Sequence, residues 1–116
     1  MDKDKRRLFE DRLREQREML VEMRREIERS WENLRVSEIE LEETATNKHL
    51  AANLDQLDDQ YKQKIDAIDY ALGRIQSDIY DICINCGEFI FEKRLEAVPW
   101  TTTCIECASA ANNRKV

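Results

Sequence analysis

The chain has 116 residues, 38% of them charged, a formal net charge of −6, and only two Gly and one Pro. That length confines it to one small domain plus an extended appendage, and the scarcity of helix breakers predicts long exposed helices rather than a large core. No apolar run approaches the roughly eighteen residues that cross a bilayer, and Met1-Asp2-Lys3-Asp4-Lys5-Arg6-Arg7 lacks the apolar stretch of an export signal, so a cytoplasmic protein away from membranes is expected.

The charge is unevenly spread. Residues 1–36 carry eleven Lys/Arg against ten Asp/Glu, residues 37–80 four against ten, and residues 81–116 four against five. The acidity therefore belongs to the middle of the chain. An acidic middle without a basic stripe argues against nucleic acid as the main partner, because phosphate binding rests on clustered Lys and Arg.

In chain order, Leu8, Leu13, Leu20, Met23, Ile27, Trp31 and Leu34 mark the first amphipathic helix. Met19, Met23 and Trp31 are expected to pack. A second stripe is cleaner: Leu50, Leu54, Leu57, Tyr61, Ile65, Ile68, Leu72, Ile75 and Ile79 step by three or four over about four heptads. Two narrow seams are satisfied most economically by packing on each other as an antiparallel coiled-coil hairpin of roughly 50 Å. The connection is expected over 37–47, where Thr44, Thr46 and Asn47 offer N-cap side chains. Gly73 interrupts the second helix, as a point of close approach or as a tolerated defect. His49, the single histidine, falls on a polar flank and reads as a surface residue.

All four cysteines follow, as Cys83-Ile84-Asn85-Cys86 and, after seventeen intervening residues, Cys104-Ile105-Glu106-Cys107. A C-x2-C pair aims two sulfurs at one point, and two such pairs complete the tetrahedral shell of Zn²⁺. Gly87 supplies the positive φ that such a turn needs. Disulfides are the poorer reading without an export signal, and a redox C-x-x-C needs only one pair in a βαβ context. Four thiolates leave no open coordination position, so Cys83, Cys86, Cys104 and Cys107 are read as a closed, structural Zn²⁺ site, with iron a competitor that spacing does not separate. Phe89-Ile90-Phe91 suggests a short strand, Pro99 an irregular return, and 108–114 a short final helix. Trp100 either covers the metal module or faces a partner. The expected fold is mainly α: residues 1–80 form the antiparallel coiled-coil hairpin, and residues 81–116 a four-cysteine zinc-finger module with a short C-terminal helix.

A long helical hairpin followed by Cys-x2-Cys-Gly, Arg94-Leu95-Glu96-Ala97-Val98-Pro99 and Cys-x2-Cys resembles the DksA/TraR family of bacterial RNA polymerase-binding proteins over nearly the whole chain. The resemblance implies a transcription regulator and not an enzyme. Such a protein inserts its hairpin into the secondary channel of RNA polymerase as a monomer, modulates initiation, and makes no sequence-specific contact with DNA. The family's acidic tip motif, D-x-x-D-x-A, falls by ungapped count from Cys83 on Glu40-Leu41-Glu42-Glu43-Thr44-Ala45, which assigns Glu40, Glu43 and Ala45 to the tip, with Glu at both acidic positions. On charge alone this run is an ordinary solvated loop, and the matching distance from Cys83 favours function. The family's basic ppGpp-binding positions correspond to Ala67, Val98 and Ala108, none of which pairs with a phosphate, so direct ppGpp dependence is not expected. The chain also starts near the first coiled-coil helix, without the extra N-terminal segment of longer members. Two competing readings are a dimerising structural coiled coil locked by zinc, and a zinc ribbon that binds nucleic acid.

Overall fold

The structure is a computed structural model; it describes residues 1–40 and 45–114, and the side chains of 1–34 and 51–111. Four helices follow one another: α1 (Lys3–Glu40), α2 (Ala45–Gln76), α3 (Glu92–Ala97) and α4 (Ile105–Arg114). The mainly helical architecture is as expected. Both long helices run further than the sequence suggested, since residues 37–40 belong to α1 and Thr46 and Asn47 lie within α2. Thr44, the other candidate cap, lies outside the described residues.

The chain divides into two compact units, residues 1–16 with 67–116, and residues 17–66. In the first, Asp2 caps α1 by accepting the Asp4 N–H at 3.1 Å. The Met1 amine lies 3.7 Å from Asp81 and Arg6 2.9 Å from Asp78, so partners fall in number as α1 advances, the order of an antiparallel pair. Phe9, Leu13, Ile68, Ala71, Ile75, Tyr80, Ile90 and Leu95 are buried here. Phe9 meets Tyr80 with ring centroids 5.6 Å apart and planes tilted by 51°, an arrangement worth about 0.5–1.5 kcal/mol beyond the area it buries.

In the second unit, among the described residues, only Ile27 and Ile65 are buried, and Leu20, Trp31, Leu34, Leu54 and Tyr61 are half-buried. The expected packing of the methionines is not found: Met19 is 60% and Met23 36% exposed, with Leu57 at 37%. The half-buried positions beside them belong to Arg24 and Asp58. These form a two-pronged pair, Arg24 Nε to Asp58 Oδ1 at 2.9 Å and Nη2 to Oδ2 at 3.4 Å. A planar guanidinium matched to a carboxylate fixes the register of two helices more narrowly than a flexible thioether against Leu does. The hydrogen bond that Arg24 donates to the Asp58 carboxylate, opposed only in part by desolvation, raises the Arg24 pKa further.

The C-terminus of α2 closes with a left-handed residue. The Asp78 N–H donates to Ile75 O at 3.2 Å and the Ile79 N–H to Arg74 O at 3.0 Å, with Asp78 at φ 62° between them. These are the two bonds of a Schellman cap, and Asp is among the few non-Gly residues that take this φ readily. Ile79 thereby leaves the seam expected of it and is 44% exposed. Gly73, one turn earlier, is exposed, and a Cβ built on it meets nothing within 4 Å. The close-approach reading is removed. Gly73→Ala is therefore expected to raise stability by about 1 kcal/mol, checked as an upward shift of the urea midpoint at unchanged slope.

The expected strand at Phe89-Ile90-Phe91 is absent. Among the described residues the segment makes one isolated antiparallel bridge, Ile82 with Phe89, and α3 starts at Glu92 before pairing can propagate. The same segment was too short to suggest α3, a six-residue helix held down by fully buried Leu95. α4 begins at Ile105, earlier than the expected 108, so Cys107 is itself helical. Among the described residues, no helix is long and apolar enough to cross a membrane.

Candidate metal centre

The four cysteine sulfurs converge. Cys83, Cys86, Cys104 and Cys107 hold their Sγ atoms all within 4.8 Å of one another, and Cys86 and Cys104 lie 3.7 Å apart, none in a disulfide. Four sulfurs about 2.3 Å from a central ion lie about 3.8 Å apart along the edges of a tetrahedron, so the cluster fits a four-thiolate metal site.

Each pair is shaped by local backbone. In the first knuckle the Gly87 N–H donates to Cys83 O at 3.0 Å, with Gly87 at φ 76°, which a side chain would strain. The Cys83 N–H donates to Glu88 O at 2.9 Å and closes the loop. In the second knuckle the Ala108 N–H donates to Cys104 O at 3.0 Å, the first turn of α4. The knuckles meet where the Ile84 N–H donates to Thr102 O at 2.9 Å.

The electrostatics suit a cation. Burial pushes the Cys83 thiol up, but backbone N–H groups of Cys104, Cys86 and Asn85 outweigh it and bring its pKa down to about 6. Cys107 goes the other way, pushed up to about 12 by hydrogen bonding with the Cys104 and Cys83 sulfurs and by burial. A divalent ion at the centre removes that conflict by stabilising thiolate at all four positions.

What holds the two knuckles in place was not read from the sequence. Arg74, only 3% exposed, sends Nη1 to Thr102 O at 3.4 Å and Nη2 to Ile79 O at 2.8 Å and to Ile82 O. One guanidinium thus ties the end of α2 to the entry of both knuckles. Arg94 of α3 does the same for the second, with Nε to Thr103 O at 2.8 Å and Nη2 to Thr101 Oγ1 at 3.2 Å. Tyr80 donates its hydroxyl to Pro99 O at 2.7 Å, and burial raises its pKa. Trp100 is half-buried.

The residues assigned to the tip stand apart from this centre in sequence. Glu40 is the last residue of α1 and Ala45 the first of α2; Glu43, with the side chains of Glu40, Ala45 and His49, lies outside the described residues. Ala67, Val98 and Ala108 are half-buried and carry no charge.

Comparison with known proteins places these features. Residues 78–113 match the prokaryotic dksA/traR C4-type zinc finger. The chain is similar to the structure of transcription factor DksA2 from Pseudomonas aeruginosa at 31% identity and a TM-score of 0.82, over 99% of this chain and 88% of that one. It is likewise similar to the solution structure of the DnaK suppressor protein from Agrobacterium tumefaciens, at 32% identity and a TM-score of 0.60, over 90% and 91% of the two chains. A curated relative, an uncharacterized protein of Aquifex aeolicus, is 56% identical over 41 residues, which are 35% of this chain and 28% of that protein.

Proposed function

The chain belongs to the DksA/TraR zinc-finger family, and on that premise we propose that it is a bacterial transcription regulator that binds RNA polymerase directly. In this reading the protein is cytoplasmic and monomeric, catalyses no reaction, and modulates initiation by inserting the connection between α1 and α2 into the secondary channel. The ion at the cysteine cluster is Zn²⁺ in a structural role, held by Cys83, Cys86, Cys104 and Cys107. Glu40, Glu43 and Ala45 form the working tip. Carboxylates delivered there act by placing negative charge near a basic or Mg²⁺-containing centre, with no bond chemistry of their own.

The observation that carries the reading is the cysteine cluster: four sulfurs all within 4.8 Å of one another, inside the residues 78–113 that match the family's zinc finger, with the acidic motif at 40–45 at the family's ungapped distance from Cys83 in the sequence. Neutral Ala67, Val98 and Ala108 support action without direct dependence on ppGpp.

The test is transcription in vitro with purified polymerase, with and without the alarmone. Glu43→Ala is expected to bind polymerase within about threefold of the parent while losing most of its effect on transcript yield, a ratio that corresponds to less than about 0.7 kcal/mol of affinity. Equal loss of binding and effect means that the tip supplies affinity instead of activity. An effect that grows severalfold with ppGpp removes the alarmone-independent part of the proposal.

A further inference from the structure

The metal-bearing unit leaves large apolar side chains in water. Phe89 is 72% and Phe91 77% exposed, while Ile90 between them is 4% exposed. The alternation has a local cause. Phe89 sits in the bridge to Ile82, the Ile90 N–H donates to Asp81 O at 2.7 Å, and Phe91 is extended at φ −62° and ψ 141°. In extended backbone successive side chains point to opposite faces, so burying Ile90 turns both rings outward on one side. Ile84 and Ile105, the second residue of each knuckle, are also 55% and 58% exposed on this unit.

Isolated exposed apolar residues need no explanation, but two Phe side chains turned to one side of an extended segment beside the cysteine cluster are of the kind that dominates interfaces. Their combined exposed area is on the order of 300 Å², from about 200 Å² for each ring. A stable dimer buries about 800 Å² per partner, so this patch alone is too small to join two copies. Its flanks also disfavour self-pairing. Glu88, beside the Phe-Ile-Phe segment, is exposed in a chain of net charge −6, so two copies would bring like charges together.

We propose that Phe89 and Phe91 are a docking anchor for RNA polymerase, received by an apolar socket with a basic rim on the polymerase surface. The inference rests on the polymerase-binding reading above and adds to it a second contact, at the metal-bearing unit and independent of the acidic tip. Neither ring contributes to the buried core, so their removal leaves the fold and the cluster intact.

The experiment compares the parent, Phe89→Ser/Phe91→Ser and Glu43→Ala for equilibrium binding to purified polymerase, with far-ultraviolet circular dichroism and metal content measured on each. The double Phe variant is expected to keep parental ellipticity and metal and to bind at least tenfold more weakly, while Glu43→Ala binds as the parent does. Parental affinity in a folded double variant overturns the anchor and leaves the polymerase reading standing. A parent chain that does not bind polymerase overturns both. Sedimentation of the free parent completes the test: a dimer dissolved by the double substitution overturns the proposal by giving the patch to a second copy.

Discussion

Stripping the metal with a strong chelator is expected to unfold residues 81–114 and to release the chain segments packed on them, while leaving roughly half of the helical signal. The sulfur cluster is the main reason this region has a fixed shape. Residues 84–89 are all exposed, and among the cysteines only Cys83 is fully buried, so apolar burial contributes little to holding the knuckles. Metal binding in small thiolate modules is worth an apparent 10–16 kcal/mol, comparable with the whole 5–15 kcal/mol stability of a typical domain. The loss does not stop at residue 81. Phe9 packs against Tyr80, whose hydroxyl is bonded to Pro99 O, and Lys5 and Arg6 reach Glu92 and Asp78, so residues 1–16 and 67–80 loosen with the knuckles. Residues 17–66, a separate unit, carry about half of the helical residues among those described and have no part in the cluster. Hydrogen exchange followed by mass spectrometry resolves these segments. A complete collapse of ellipticity on chelation, or amides in 81–114 that stay protected, would be inconsistent with this division.

Arg74→Met is expected to cost about 3–5 kcal/mol, the largest effect of any single substitution outside the cysteines. The arginine is buried, and its donors go to main-chain carbonyls of Thr102, Ile79 and Ile82, with Nε finding no partner. Charged hydrogen bonds of this sort are worth about 1.5–3 kcal/mol each, and truncating the donor leaves buried acceptors without water or partner. Methionine fills the volume but donates nothing. Lysine keeps the charge and loses the planar fork, so Arg74→Lys recovers only part of the deficit. Urea unfolding gives the stability, and release of metal to a competing chelator should be faster in both variants because the knuckle entries are no longer tied to α2. A Met variant within 1 kcal/mol of the parent, at unchanged metal release, would show the guanidinium to be dispensable.

The sequence was most legible where chemistry is stereotyped. Two C-x2-C pairs predicted the convergence of four sulfurs, and the three-and-four stepping of α2 predicted burial at Ile65, Ile68 and Ile75. Phase was harder to read than period. Leu8 looked like the seam residue and is 50% exposed, while its neighbour Phe9 is 1% exposed, because one residue turns a helix by about 100° and both side chains are apolar. At Met23 and Leu57 the cause is different: the half-buried positions beside them went to Arg24 and Asp58, which satisfy each other as a pair. Arg74 could not be anticipated at all. A buried cation satisfied by carbonyl oxygens has no partner side chain to look for, and those oxygens belong to residues of unrelated type.

One consequence follows from the membership of the metal-bearing unit, which joins residues 1–16 to residues 67–116. During synthesis the first turns of α1 leave the ribosome long before Tyr80, Glu92 and Cys107 exist, so the unit is completed only after the whole of residues 17–66 has been made. The intervening residues 17–66 form the other compact unit, whose contacts lie within itself. By drawing the ends of a fifty-residue tether together in advance, they lower the entropic penalty of the final closure.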